Sequence, residues 1–195
     1  METYVLMKKK YPKEININKP VRLNELTGRG LSRNEIKTLV DSDKIIKISH
    51  GLYQSSYIDN DDENQFKVAT KLISGPSAVG LISALVFYNL TDEIPKKVWL
   101  IVEIKKRSIR KEIQLFRCKN PHWNIGIINA DGYKITNLER TIIDLINYQS
   151  RFGNTGIQAL KKALHEKRTT LQKIVNMAED LGVGSRLSPY IQVLL

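Results

Sequence analysis

A single cysteine, Cys118, leaves no partner for an internal disulfide, so the fold has to hold itself by packing. His50, His122 and His165 are scattered, with no neighbouring Cys, Asp or Glu at zinc-ligand spacing, and no structural metal is expected. No apolar run approaches the ~20 residues of a spanning helix; the longest comparable stretch is 98 to 102. Met7 to Lys10 is basic, but polar residues 11 to 19 follow where a secretory segment needs apolar ones, so a cytoplasmic protein without membrane contact is expected. Walker, Rossmann and nucleophile-elbow motifs are also missing, since Gly28, Gly30 and Gly51 fall in turns that feed no phosphate-binding helix. Nothing makes a positive case for an enzyme, and no cofactor is expected.

Acidic residues are the other scarcity. Against 31 Lys and Arg stand 20 Asp and Glu, a net charge of +11. Such an excess raises the local potential toward polyanions, nucleic acid above all. It is spread along the chain, so composition does not locate a footprint. A hydrophobic fraction of 42% with 26% charged residues is that of an ordinary folded protein, and 195 residues suffice for two small domains.

The strongest local signal lies at 31 to 36. Ser32 and Glu35 form an S-x-x-E capping box, with Leu31 and Ile36 at the hydrophobic-staple positions. The helix that follows carries Ile36, Leu39 and Val40 on one face and Arg33, Asn34, Lys37, Thr38 and Asp41 on others. Upstream, 21 to 26 reads as a short helix, separated by a Gly28-Arg29-Gly30 turn at helix-turn-helix spacing. Downstream, 45 to 48 and 52 to 54 are strand formers joined through Ser49-His50-Gly51, a tight hairpin and a candidate wing. The acidic, polar stretch 59 to 64 places a boundary near residue 60, giving a winged helix-turn-helix over 1–60 and a second domain over 61–195.

Beyond the boundary the pattern predicts a mixed α+β domain. Helices are expected over 63 to 73 and from Pro76 to Leu90, the latter buried because it is apolar on several faces. Strands are expected at 98–104, 112–118, 125–129 and 133–135. A second capping box, Thr136 with Glu139, opens a helix through Ile146, two more helices fit 155–167 and 169–181, and Ser188-Pro189 opens a terminal one. The fold class expected is therefore α+β.

In a helix-turn-helix the second helix enters the major groove, where each base pair shows its own donor and acceptor pattern. Ser32, Arg33 and Asn34 lie at its start: Arg33 can donate a fork to guanine and Asn34 can pair with adenine. Lys37, Thr38, Lys44 and Lys47 can hold phosphates, while Ser49 and His50 form the wing tip near the adjoining backbone or minor groove. The bland alternative is a set of solvated polar faces; the basic balance and the adjoining hairpin favour DNA. Lys105, Lys106, Arg107, Arg110 and Lys111 cluster between two expected strands, where a hairpin loop would present them to nucleic acid or another partner, although such runs are commonly just solvated turns. Glu103 and Lys105 mimic the E-x-K half of a magnesium nuclease site, but no upstream strand offers the second carboxylate such a site needs.

The chain resembles the AbiEi family, antitoxins of the bacterial AbiE toxin-antitoxin systems. The resemblance spans most of the chain. It rests on Ile48-Ser49-His50-Gly51-Leu52-Tyr53, on Ser83-Ala84-Leu85 followed by Tyr88-Asn89-Leu90, and on Ile135-Thr136-Asn137-Leu138-Glu139-Arg140-Thr141 leading to Asp144. Where the family pattern has Arg-Gly-Val/Leu-Tyr after the wing strand, this chain has His50-Gly51-Leu52-Tyr53. The resemblance implies a phage-defence antitoxin that represses its own operon by binding promoter inverted repeats, two copies pairing on DNA. It implies too a C-terminal domain that counters a nucleotidyltransferase-like toxin, by contact or indirectly. A transcriptional regulator without a toxin and a nuclease using Glu103 are the alternatives; the first lacks a toxin gene downstream, the second requires metal-dependent cleavage.

Overall fold

The computed structural model describes residues 17, 19–73, 75–103, 107, 110–118 and 123–192, and the chain divides into two units, Met1–Asp59 and Asn60–Leu195. Together they make a mixed α+β protein with two sheets and, among the described residues, eight helices and no helix long and apolar enough to cross a membrane.

The first unit is built around the cap seen in the sequence. Helix α2 (Arg33–Asp41) starts at Ser32, whose Oγ accepts from the Glu35 backbone N–H at 3.2 Å while the Ser32 N–H donates to the Glu35 carboxylate at 2.7 Å. Leu31 and Ile36, on either side of the cap, are both buried. Helix α1 (Leu23–Gly28) precedes it across a turn in which Gly30 has φ +90, a conformation that costs other residues strain. Val21 and Arg22, expected to open that helix, instead form strand β1 (Val21–Arg22). They pair with Tyr53 and Leu52 of β3 (Leu52–Ser55), since a sheet edge satisfies their backbone better than a frayed first turn. Strand β2 (Ile45–Ser49) pairs antiparallel with β3, giving the order β1-β3-β2. The hairpin turns at His50-Gly51, with Gly51 at φ +68, and its register shifts between Lys47 and Ser49. Ile17, Val21, Leu26, Leu31, Ile36, Leu39 and Ile45 make the core.

The second unit has a five-stranded sheet in the order β6-β5-β4-β8-β7. In chain order it contains α3 (Asp62–Leu72), β4 (Ser77–Val79), α4 (Leu81–Phe87), β5 (Val98–Glu103), β6 (Ile113–Cys118), β7 (Ile127–Asn129) and β8 (Lys134–Thr136). Helices α5 (Leu138–Asn147), α6 (Gln149–His165), α7 (Leu171–Asp180) and α8 (Gly184–Gln192) follow. One face of the sheet packs Leu100, Val102, Leu115 and Ile135 with Phe66, Ala69 and Ile73 of the α3 region. The other turns Trp99 toward α4, α5, α6 and α7. Cover on both faces explains why β5 reads as an unbroken apolar run rather than an alternation. Helix α5 is the hub, with every residue from Arg140 to Ile146 buried.

Five expectations for this unit are corrected. Residues 77–79 are a strand, not the start of a helix: a fully buried strand and a buried helix are alike in being apolar all round. The chain breaks at Gly80, where a Cβ would stand 2.6 Å from Ile101 Cγ1, so only glycine fits. The cap of α5 is Asn137, whose side chain accepts from the Arg140 N–H; Thr136 ends β8 and is buried against the Thr141 hydroxyl at 2.7 Å. Pro189 lies inside α8 rather than opening it, and α6 begins at Gln149, earlier than residue 155. Finally, β5 and β6 pair parallel, Val98 with Ile113 and Glu103 with Cys118, rather than as the two arms of a hairpin.

Candidate nucleic-acid interface

The polar residues of α2 and the following hairpin stand outside the core of the first unit. Ile36 and Leu39 turn inward, and Arg33, Asn34, Lys37 and Thr38, on the remaining faces, are exposed. Ser32 is exposed too, but its hydroxyl oxygen is engaged by the cap. Thr38 spends its hydroxyl on the Asn34 carbonyl, donating at 3.0 Å, an ordinary helix back-bond that leaves the oxygen lone pairs outward.

The chain leaves α2 through Asp43, at φ 53, which turns it sharply into β2. Lys44 and Lys47 are exposed on either side of buried Ile45, Ser49 is half-buried, and His50 is exposed at the hairpin turn. The Leu23 N–H donates to the Gly51 carbonyl at 2.9 Å, tying that turn to the start of α1. One small unit thus carries a row of donors on a helix start and a second set on a hairpin. Arg29, exposed in the turn between α1 and α2, is a further cation that the sequence reading left out. Its glycine neighbours marked only a turn, and nothing in the spacing marked it as functional.

The second basic group falls between two parallel strands, not in the expected hairpin. Strands β5 and β6 run parallel, which a tight hairpin cannot join. Arg107, Arg110 and Lys111 are exposed, and Arg110 lies 3.9 Å from Glu112; Lys105 and Lys106 lie outside the described residues. Glu103 ends β5, exposed, across from Cys118. Among the described residues no group of three or more His, Cys, Asp and Glu could hold a metal ion. His165 is exposed at the end of α6, and His122 lies outside the described residues.

The second unit holds a different kind of polar site, which sequence reasoning missed. Arg140, only 1% exposed, donates from Nε to Asp144 Oδ2 at 2.7 Å and from Nη1 to the Ile125 carbonyl at 2.6 Å, and its Nη2 lies 3.4 Å from Cys118 Sγ. One side chain therefore fastens α5 to β6 and to the segment before β7. Asp144 is 7% exposed; burial pushes its carboxyl above the usual range, and the Arg140 charge and hydrogen bond pull it back. The pair lines a cleft of about 710 Å³ with Phe116, Tyr148 and Arg186. Its i, i+4 spacing was visible in the sequence, but such pairs usually lie on helix surfaces.

Two tyrosines of this unit are also perturbed. Burial, then the charge of Glu139, pushes Tyr88 up to about 12, and burial followed by Glu63 does the same to Tyr133. Tyr88 donates to the Thr136 carbonyl at 2.8 Å, bracing α4 against the end of β8. Both have the character of structural groups rather than acids or bases near neutrality.

The sequence matches no family model and no curated protein.

Proposed function

We propose that the first unit is a winged helix-turn-helix that reads double-stranded DNA, with α2 as the recognition helix and the β2–β3 hairpin as the wing. The observation that carries this reading is the exposed run Arg33, Asn34, Lys37 and Thr38 on a capped helix whose opposite face is buried, continued by Lys44, Lys47 and His50. Arg33 and Asn34, in the first turn, reach base edges; the lysines hold phosphates and set the register. The net charge of +11 strengthens encounter with the duplex.

The motifs shared with the AbiEi family extend the proposal to an antitoxin that represses its own operon and counteracts a nucleotidyltransferase-like toxin, with the second unit serving neutralisation. Fluorescence anisotropy of the full chain on its upstream promoter and on a scrambled duplex tests the DNA reading. Tighter binding to the promoter, with an affinity that falls steeply with salt as lysines and arginines displace counterions, is expected. Equal affinity for both duplexes overturns it. Growth on co-expression with the downstream gene tests the antitoxin reading. Rescue by the full chain, retained when Arg33 and Lys37 are both changed to alanine, is expected; a downstream gene that is harmless alone overturns it.

A further inference from the structure

We propose that the cleft between α5, β6 and α8 in the second unit binds a compact zwitterion, an α-amino acid with an apolar or aromatic side chain. Asp144 places a carboxylate, nine-tenths buried, on the wall of this 710 Å³ cleft. Among the described residues its one side-chain partner is Arg140, whose Nε donates to Oδ2. The Arg140 guanidinium keeps the Asp144 carboxylate ionised, and its remaining oxygen can accept a charge-assisted hydrogen bond from a ligand ammonium.

The matching cation stands close by. Asn147 lies three residues after Asp144 on α5, so the two share a helix face within ~6 Å. The Asn147 Oδ1 accepts from Arg186 Nη1 at 3.2 Å, which holds that guanidinium at the same wall. A carboxylate on α5 and a guanidinium held by the asparagine one helical turn along suit a molecule whose own ammonium and carboxylate are near neighbours. Exposed Glu179 and Asp180 on the lining balance Arg117 and Arg186, so the cleft favours a net-neutral ligand over a phosphorylated one. Phe116 and Tyr148, packed edge to face at 5.3 Å, supply an apolar wall for the side chain.

The inference stands independently of the DNA reading. It is tested by titrating L-phenylalanine and L-leucine into the ¹⁵N-labelled full chain and following amide shifts. N-acetyl-L-phenylalanine, which lacks the ammonium, and L-phenylalaninamide, which lacks the carboxylate, serve as comparisons. Saturable shifts confined to the cleft are expected with at least one free amino acid, and binding at least about tenfold weaker with both blocked forms. Arg186→Ala, at an exposed position that leaves the core untouched, is expected to weaken the free amino acid about tenfold and to leave the amide unaffected. Asp144→Asn removes the ammonium's partner; if that variant fails to fold, Arg186→Ala and the blocked probes still decide. Absence of saturable shifts at about 10 mM of either amino acid, or equal binding of the N-acetyl form, overturns the proposal.

Discussion

The two units treat polar residues in opposite ways. In the first, Gln54 is the one polar side chain among the buried described residues, and the charged side chains of α2 and the hairpin lie outside a small aliphatic core. In the second, a guanidinium and a carboxylate are buried at the hub of the fold, with Thr136 and Thr141 bonded beside them. A unit that presents its charges outward suits the recognition of another charged molecule and can exchange those residues at little structural cost. A unit that folds around an ion pair has committed those charges to its own architecture, because removing one member strands the other away from water.

The comparison can be broken most sharply at that ion pair. Asp144→Ala is expected to cost the second unit about 3–5 kcal/mol, since it leaves the Arg140 guanidinium buried without its partner. Hydrogen exchange should register the loss in α5 and β6 and spare α2. Replacing both residues together, Arg140→Met with Asp144→Leu, should recover much of it. In the first unit the equivalent damage is apolar: Leu26→Ala, at 0% exposure, is expected to cost about 2–5 kcal/mol in urea unfolding followed at α1 and α2.

Alkaline pH offers a smaller and reversible perturbation confined to the second unit. Tyr88 and Tyr133 have folded pKa values raised to about 12 from 10.0, so between those limits the unfolded chain releases their protons first and stability falls as pH rises. Two pKa units correspond to at most about 2.7 kcal/mol per group, and solvent reaching half-buried Tyr88 lowers its share. Absorbance at the tyrosinate band should show a late-titrating component that Tyr88→Phe halves. Smallest is the cap: Ser32→Ala is expected to cost about 1 kcal/mol, seen as faster amide exchange at the start of α2.

The first unit was the more legible from sequence because its signals are local. A capping box, a staple pair and a glycine turn each act within a few residues, and α2 begins where Ser32 and Glu35 place it. The second unit depends on contacts distant in the chain. Whether residues 77–79 extend a helix or join a sheet is decided by β5 and β8 on either side, and the parallel pairing of β5 with β6 leaves no mark in either strand. Arg140 and Asp144 have a spacing that a solvent-facing helix would share; only the closure of β6, α7 and α8 around them turns a surface pair into a buried one. The polar face of α2 was readable for the converse reason, since exposure needs no partner to define it.

On the proposed DNA reading, α2 reads sequence while the hairpin lysines hold backbone. The most direct measurement of this is the affinity of wild type, Arg33→Ala, Asn34→Ala and Lys47→Ala for the promoter duplex and a scrambled one at fixed salt. The account predicts that Arg33→Ala and Asn34→Ala each narrow the gap between the two duplexes by about 1–3 kcal/mol, and that Lys47→Ala weakens both alike. A gap left unchanged by Arg33→Ala and Asn34→Ala, in variants that remain folded, would contradict it.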